Sequence, residues 1–310
     1  MSKTLGGVTM AWNAISQDYS IIECLECLYQ LCDAVSISFG GDDGTTELVS
    51  KWIFDKLSDR PFKPVISHYI SQAQWLEQKG REKLSYFSNI AIELLNTDYF
   101  YYQQADEITH QDSFPFIRQA IETNQEAFLI HRLNCWHSAY TVLNVEHNRK
   151  PVSTHVIRLA KKQYRCIDDA ESVMASASTD FIDQIRMYHV GFVRDKDKHL
   201  VKIKNMQEEV FLFAEADRRI HDCPDGFDAW KFGFKPEDVE PIKEPLPKFI
   251  KEWAEYRLVS PFKDSDFEMA KEWLSSMVDK NLFYDLIIKD QKSLISLANN
   301  LWWNLAKQYQ

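Results

Sequence analysis

The chain has 310 residues, of which 45% are hydrophobic and 13% aromatic, and its formal net charge at pH 7 is −10. These values suit one α/β domain with a C-terminal extension. The acidic balance disfavours a general nucleic-acid binder, because neutralising phosphates requires surplus Lys and Arg. No apolar run approaches the ~20 residues of a membrane span, and the N-terminus lacks a signal-peptide pattern. We therefore expect a soluble, cytoplasmic protein.

The N-terminal part of the chain alternates between predicted strands and helices. Apolar runs bounded by turn residues predict strands at 6–12, 34–40, 63–70 and from Tyr99 onward. Apolar residues at helical spacing predict helices at 19–32, 48–57 and 81–96. This alternation is typical of a doubly wound, mostly parallel sheet flanked by helices, and this is the fold class that we predict.

The pattern changes beyond residue 126. We predict strands at 126–136, 152–161 and 184–195, a charged helix at about 196–217, an irregular Pro- and aromatic-rich segment at 223–248, and amphipathic helices at about 266–278 and 283–308. The predicted organisation is an α/β domain at 1–217, whose halves meet near residue 110, followed by an irregular and helical extension at 218–310. An aromatic pair in the last helix favours a core or a homodimer contact.

Three cysteines lie close together near the N-terminus. Cys24, Cys27 and Cys32 are close enough to suggest zinc, but no second Cys or His pair follows at zinc-site spacing. Cys24 and Cys27 share the apolar face of a predicted helix. Buried core thiols are therefore the favoured interpretation.

Polar residues follow the predicted strands at the point where each strand ends. Trp12 and Asn13 follow the first strand, the turn 40–45 follows the second, and the run 104–107 follows the fourth. Ligands bind at the carboxyl ends of parallel strands, so these positions predict one shared site. A carboxylate beyond a strand, such as Asp106, suits a hard divalent cation. A surface turn or a helix cap is the alternative.

These segments carry a resemblance to a known family. WN after the first strand, CDAVSISFGGDDGT around the second and QADE after the aromatic fourth resemble glycosyltransferases of the GT-A fold, in the family-2-like branch of bacteria and phages. The resemblance implies a metal motif in which Asp106 is the main ligand of Mn or Mg and Glu107 binds beside it or through water. Gln104 stands at the first acidic position of that motif, which removes one carboxylate.

The segment MYHVGFVRD is similar to a second motif of this family. The resemblance implies that His189 is an additional metal ligand, and imidazole suits Mn better than Mg. A lone His in a strand is as often a satisfied core residue. Arg194 would meet a diphosphate through charge-assisted hydrogen bonds.

The resemblance also implies a nucleotide-sugar donor, and UDP is the commoner nucleotide on this fold. Trp12 and Asn13 match the segment that lines the nucleobase, although a packed edge aromatic is the alternative for Trp12. Asp42 or Asp43 would accept hydrogen bonds from the base or the ribose.

The segment RCIDDAESV holds the candidate acid/base residues. Sugar transfer with inversion needs a carboxylate that takes the proton of the acceptor hydroxyl. Asp168, Asp169 and Glu171 are available; the pattern of the resembled family favours Asp169, with Glu171 as the alternate. An acidic cluster at a helix N-terminus is the structural alternative.

The leading hypothesis is therefore a metal-assisted, inverting hexosyl- or pentosyltransferase that uses a UDP-sugar. The acceptor is a surface saccharide or a hydroxymethylated pyrimidine of phage DNA, and the latter would place the protein in the host cytoplasm. Four lysines and an aromatic segment at 227–234, on which a flipped base would stack, keep DNA as a candidate. These are Lys196, Lys198, Lys202 and Lys204.

Two other classes of protein compete with this hypothesis. A non-catalytic nucleotide-sugar-binding or scaffold protein on the same fold would explain the missing carboxylate at Gln104. A nucleotidyltransferase shares the doubly wound sheet, but it would need a Gly-rich, basic phosphate loop after the first strand, and AWNAISQDY contains none.

Overall fold

The computed structural model describes most of the first 194 residues and a short segment near residue 250. The described residues are 2–58, 61–80, 82–136, 138–143, 155–174, 179–194, 198, 201, 202, 205, 239–255 and 298. The helices predicted at 266–278 and 283–308 fall outside these residues, apart from Ala298, and so does the dimer contact assigned to them.

The N-terminal half of the sheet consists of four parallel strands. They are β1 (Leu5–Trp12), β2 (Ala34–Gly40), β3 (Val65–Ile70) and β4 (Tyr99–Tyr102), in the spatial order β3-β2-β1-β4. The helices between them are α1 (Ile21–Leu31), α2 (Thr45–Lys56), α3 (Gln72–Glu77) and α4 (Glu82–Leu94). All four residues of β4 are buried, as expected of a strand covered on both faces. The predicted alternation is confirmed.

The second half extends the sheet with mostly antiparallel pairs. Its elements are β5 (Glu107–Thr109), α5 (Phe114–Glu122), β6 (Ala127–Trp136), β7 (Thr141–Leu143), β8 (His155–Lys161), β9 (Arg165–Ile167), β10 (Ser172–Met174), β11 (Thr179–Phe192), β12 (Val239–Pro241) and α6 (Lys251–Glu255). Strand β8 runs antiparallel between β4 and β6. Strand β11 pairs in parallel with β6 and antiparallel with β5. Strands β9 and β10 form a separate hairpin.

This architecture confirms the predicted fold class. It is a mixed α/β fold with a curled sheet, parallel in its N-terminal part and flanked by helices, consistent with a GT-A-like fold. Among the differences from the sequence prediction, two affect the site. Strand β11 begins earlier than residue 184 and ends at Phe192, and helix α3 follows β3 because Ser71 and Gln74 form a capping box.

The three clustered cysteines are core residues, as predicted. Cys24, Cys27 and Cys32 are buried free thiols packed in the main hydrophobic cluster. Burial raises the pKa of Cys27 to about 12, so this thiol is protonated at neutral pH. Among the described residues, no helix combines the length and apolarity needed to cross a bilayer.

Candidate active site

A pocket of about 300 Å³ opens at the carboxyl ends of β1 and β4. Its aromatic wall includes Trp12, Tyr19, Trp75, Tyr102 and Phe192. Its polar side chains are Gln17, Gln104, Asp106, Asp169, Glu171, His189, Lys202 and Asn205. The pocket therefore brings together predicted residues from strand ends that are far apart in sequence, as the strand-end argument predicted.

Asp106 is the centre of the charged cluster in this pocket. The carboxylate is only 6% exposed, and its Oδ2 lies 2.8 Å from Lys202 Nζ, 3.7 Å from His189 Nε2 and 3.8 Å from Arg194 Nη2. Burial alone would raise the pKa of Asp106, but Lys202, His189 and Arg194 outweigh it and hold the pKa well below its usual range. Asp106 is therefore ionised at neutral pH.

His189 is held in place from strand β6. Its Nδ1 lies 3.0 Å from Asn134 Oδ1. Because an amide oxygen can only accept, Nδ1 carries the proton, and Nε2 is directed toward Asp106. The next residue but one is Gly191, where a Cβ atom would lie 2.5 Å from His189 Nε2, 2.6 Å from Asp106 Oδ2 and 2.9 Å from Lys202 Nζ. Only glycine leaves room for the three polar atoms to meet.

Lys202 is a site residue that the sequence analysis named only among the four lysines for a DNA acceptor. It is helical, and its Nζ donates to Asp106 Oδ2 and, at 3.2 Å, to the carbonyl of Gly191. Desolvation lowers the pKa of Lys202 to about 8, although the Asp106 carboxylate opposes this shift. Of the other predicted cluster members, Lys196 and Lys204 lie outside the described residues.

Arg194 supplies a second cation behind the pocket. Its side chain is fully buried and lies over the Tyr19 ring, 5.0 Å from the ring centre. Nη1 donates to the backbone carbonyl of Gln17. Among the described residues, Nε and Nη2 have no hydrogen-bond partner, which is unusual for buried donors.

Glu107 is fully buried and turned away from the pocket. Its Oε1 accepts from Arg158 Nη2 at 2.7 Å and from Arg132 Nη1 at 3.3 Å. Its Oε2 accepts from Arg158 Nε at 3.0 Å and from the Gln104 backbone N–H at 2.9 Å. Both oxygens are thus engaged within the protein, which gives Glu107 a structural role; metal ligation by Glu107 stays a prediction that these contacts disfavour.

The three candidate bases lie in the turn of the β9–β10 hairpin, so the helix N-terminus proposed as an alternative is wrong. Asp168 is exposed and has a φ of 48°, and it does not line the pocket. Asp169 and Glu171 do. Glu171 Oε2 accepts from Arg132 Nη1 at 2.6 Å. Burial would raise the pKa of Glu171, but Arg132, Arg158 and His189 together lower it.

Gln104 joins the hairpin to the end of β4. Its side-chain Nε2 donates to the carbonyl of Ala170 at 3.3 Å. Gln104 lines the pocket beside Asp106, so an amide stands where the resembled motif has a carboxylate. This contact positions the turn that carries Asp169.

The predicted nucleotide-binding loops are held together by their own polar groups. Asn13, at a φ of 49°, accepts from the Asp42 backbone N–H through Oδ1 at 2.9 Å. Asp43 accepts from the backbone N–H of Ser16 at 2.6 Å and from the hydroxyl of Thr45 at 2.6 Å. The Asp42 side chain is exposed. Asn13, Asp42 and Asp43 do not line the pocket, whereas the adjacent Trp12 does.

Trp12 stacks on Trp75, with ring centres 4.4 Å apart and planes 9° from parallel. Phe87 stacks in turn on the far side of Trp75, at 5.7 Å. This apolar wall suits a planar base or the apolar face of a sugar ring. Sequence reasoning missed Trp75, because helix α3 was not predicted.

A divalent metal fits the charges around Asp106 poorly. Its Oδ2 and His189 Nε2 lie 3.7 Å apart, a separation that one cation can bridge. However, the described residues contain no group of three or more His, Cys, Asp and Glu side chains that could hold a metal. Lys202 and Arg194 already approach Asp106 within 4 Å. Unit charges about 4 Å apart interact by ~4 kcal/mol at an effective dielectric constant of about 20, so an added divalent cation would be repelled. The Mn or Mg requirement stays a prediction that these charges disfavour.

Comparison with known proteins finds similarity at the level of structure only. The sequence matches no protein-family model and no curated protein. A Bacillus anthracis protein assigned as a glucose-1-phosphate thymidylyltransferase, in complex with a sucrose, is 14% identical, with a TM-score of 0.33 over 64% of this chain and 74% of that one.

Two structures of TarS 1-349 from S. aureus are also similar. The complex with UDP-GlcNAc is 10% identical, with a TM-score of 0.38 over 66% of this chain and 67% of that one. The complex with UDP is 11% identical, with a TM-score of 0.37 over 97% and 92% of the two chains. Similarities of this size carry no argument about function, for which the geometry of the pocket is the basis.

Proposed function

We propose that this protein is a glycosyltransferase that moves a sugar from a nucleoside-diphosphate sugar to a hydroxyl acceptor. One observation carries the proposal. One pocket at the carboxyl ends of parallel strands is lined both by the Asp106–Lys202 pair, with Arg194 close to it, and by the carboxylates of Asp169 and Glu171. Cations suit the leaving diphosphate, and a carboxylate suits the acceptor proton.

Asp169 is the general base that we propose. Its Oδ1 accepts from the backbone N–H of Glu171 at 3.3 Å, which orients the carboxylate at the pocket. Glu171 is ion-paired with Arg132 at 2.6 Å, and this pairing stabilises its charged form and weakens it as a base. An inverting displacement needs such a base on the face of the sugar opposite the leaving diphosphate.

A saccharide is the acceptor that we propose to test first. DNA binding would require lysines that are free to meet phosphates. Lys202, one of the four predicted for that role, lies inside the pocket beside Asp106, where it would meet the donor and not the backbone of a DNA acceptor. The net charge of −10 also opposes a polyanionic acceptor.

The test is to incubate the protein with a panel of nucleotide sugars and saccharide acceptors and to measure the nucleoside diphosphate released. Asp169→Asn should lower turnover by ~10²-fold or more, the range that a general base supplies, while nucleotide binding is retained. Asp168→Asn, the same change at the adjacent exposed carboxylate, is the matched control and should keep near-full turnover. Loss at Glu171→Gln but not at Asp169→Asn would move the base to Glu171.

A non-catalytic nucleotide-sugar-binding protein is the second reading. Gln104 favours it, because an amide replaces a carboxylate beside Asp106 and donates to the carbonyl of Ala170. Tight binding of a nucleoside diphosphate without turnover of any nucleotide sugar in the panel would support this reading.

A further inference from the structure

The inference concerns the group that meets the donor diphosphate, and it rests on the proposed function. At pH 7, Asp106 brings one negative charge to the cluster, whereas Lys202 and Arg194 bring two positive charges within 4 Å of it. The cluster is therefore cationic before His189 is counted. A buried cationic cluster at a pocket wall favours an anionic ligand.

Unsatisfied donors point to the same kind of ligand. An ammonium group has three N–H donors, and the described residues account for two of those on Lys202, at Asp106 and at the Gly191 carbonyl. Arg194 is fully buried, yet its Nε and Nη2 have no hydrogen-bond partner in the described part of the chain. Buried donors without partners are costly. Lys202 lines the pocket, so its remaining N–H can meet a diphosphate oxygen there, while Arg194 adds positive charge from behind.

The packing around Gly191 leaves the ammonium in the place where a cation would bind. A Cβ on Gly191 would lie within 3.0 Å of Asp106, His189 and Lys202, so these three side chains converge on a position with no spare volume. Magnesium usually keeps several of its waters when it is bound. With Nζ 2.8 Å from Asp106 Oδ2, the Lys202 ammonium already holds the contact with this oxygen that a divalent ion would take.

We infer that Lys202, with Arg194 behind it, replaces the divalent metal in this enzyme, and that Asp106 acts by positioning Lys202 instead of ligating a metal. In the transfer, the bond between the anomeric carbon and the β-phosphate oxygen breaks, and its electron pair stays on the phosphate. The acceptor oxygen forms the new bond to the anomeric carbon, and its proton passes to Asp169. The ammonium of Lys202 stabilises the charge that develops on the leaving diphosphate.

The experiment measures binding of UDP, TDP, GDP and ADP by calorimetry, first in EDTA and then with added Mn or Mg. The wild-type protein should bind at least one of them in EDTA, with metal changing the affinity less than about twofold. Lys202→Met should weaken binding by about 10- to 100-fold, the range of one charged hydrogen bond. Lys198→Met, one helical turn away and outside the pocket, is the matched control and should bind normally.

The outcomes separate the inference from the proposed function. Binding that appears only after metal is added, or an unchanged affinity in Lys202→Met, would overturn the inference and leave the glycosyltransferase proposal standing. If no nucleoside diphosphate binds under either condition, the proposed function fails and the inference fails with it. If Lys202→Met does not fold, the affinity of Lys202→Arg for the nucleoside diphosphate in EDTA decides the question. This variant keeps the positive charge and should retain most of the binding.

Discussion

Replacing Glu107 with Gln tests the structural role of this carboxylate directly. Glu107 is fully buried and accepts four hydrogen bonds, three of them from Arg132 and Arg158 and one from the Gln104 backbone. In the variant, the amide N–H groups of the glutamine would face the N–H donors of the Arg132 and Arg158 guanidinium groups. The substitution would also leave Arg158, which is itself fully buried, without its compensating charge.

Breaking a buried ion pair by removing one partner costs about 3–5 kcal/mol. Proteins of ordinary stability have only ~5–15 kcal/mol of unfolding free energy, so Glu107→Gln should lower the midpoint of denaturant unfolding strongly. The assay is urea unfolding followed by circular dichroism and fluorescence. The control is Glu93→Gln, which also removes a carboxylate that is ion-paired with an arginine. Glu93 is 60% exposed and lies 3.5 Å from Arg165, and exposed pairs of this kind contribute ~1 kcal/mol or less.

A loss of less than ~1 kcal/mol, the size expected for an exposed pair, would refute this reasoning. A metal ligand at Glu107 gives a different pattern, since the variant would then stay stable while its turnover lost its dependence on Mn or Mg. The two measurements therefore distinguish an internal ion pair from metal ligation at the same residue.

Two further predictions follow from the geometry. Gly191→Ala should destabilise the protein by about 1–3 kcal/mol, because the added methyl group overpacks against three polar side chains. It should also weaken nucleoside-diphosphate binding, measured by calorimetry. Unchanged binding would contradict the packing described around Gly191. Burial alone would raise the pKa of Asp33, but hydrogen bonds from Arg118 and the Leu5 N–H lower this pKa below its ordinary value. The ionised Asp33 therefore stabilises the fold above about pH 4, and this stabilisation is lost as pH falls through the pKa of the folded state. Acid unfolding of Arg118→Met should show a smaller loss of stability over this range than the wild type, and identical pH profiles would count against the assignment.

The parallel half of the sheet and the place of the pocket could be predicted from the sequence, because both depend on local signals. Apolar strands end at Trp12 and at Tyr102, and polar residues follow each of them at once. Since parallel strands align their carboxyl ends, the meeting of Trp12 with Gln104 and Asp106 in one pocket follows from order alone.

The partners of these residues could not be predicted, because they come from distant parts of the chain. Lys202 is 96 residues away from Asp106, and in a run of alternating charges nothing marks it as the buried one. Asp106 and Glu107 look like one acidic motif, but successive residues at the start of a strand are directed to opposite sides. Asp106 therefore faces the pocket, and Glu107 faces Arg132 and Arg158.

The sequence did not decide between a turn and a helix N-terminus for the acidic segment at 168–171, for a comparable reason. Asp168 and Ala170 both adopt positive φ, at 48° and 60°, in the short connection between β9 and β10. Consecutive Asp residues are compatible with a left-handed turn as well as with a helix N-terminus. The flanking strands β9 and β10 are also too short to show the alternation of apolar and polar residues that marks a strand.

Arg158 anchors the acceptor-side turn through main-chain atoms. Its Nη1 donates to the carbonyl of Glu171 at 2.7 Å and lies 3.5 Å from the carbonyl of Ala170, while the same guanidinium pairs with Glu107. A contact with carbonyl oxygens does not depend on which side chains the turn carries. The hairpin can therefore be given new sequences while it stays docked in the same place. If the proposed function holds, its positions other than Asp169 and Glu171 are the ones to randomise in a search for new acceptors.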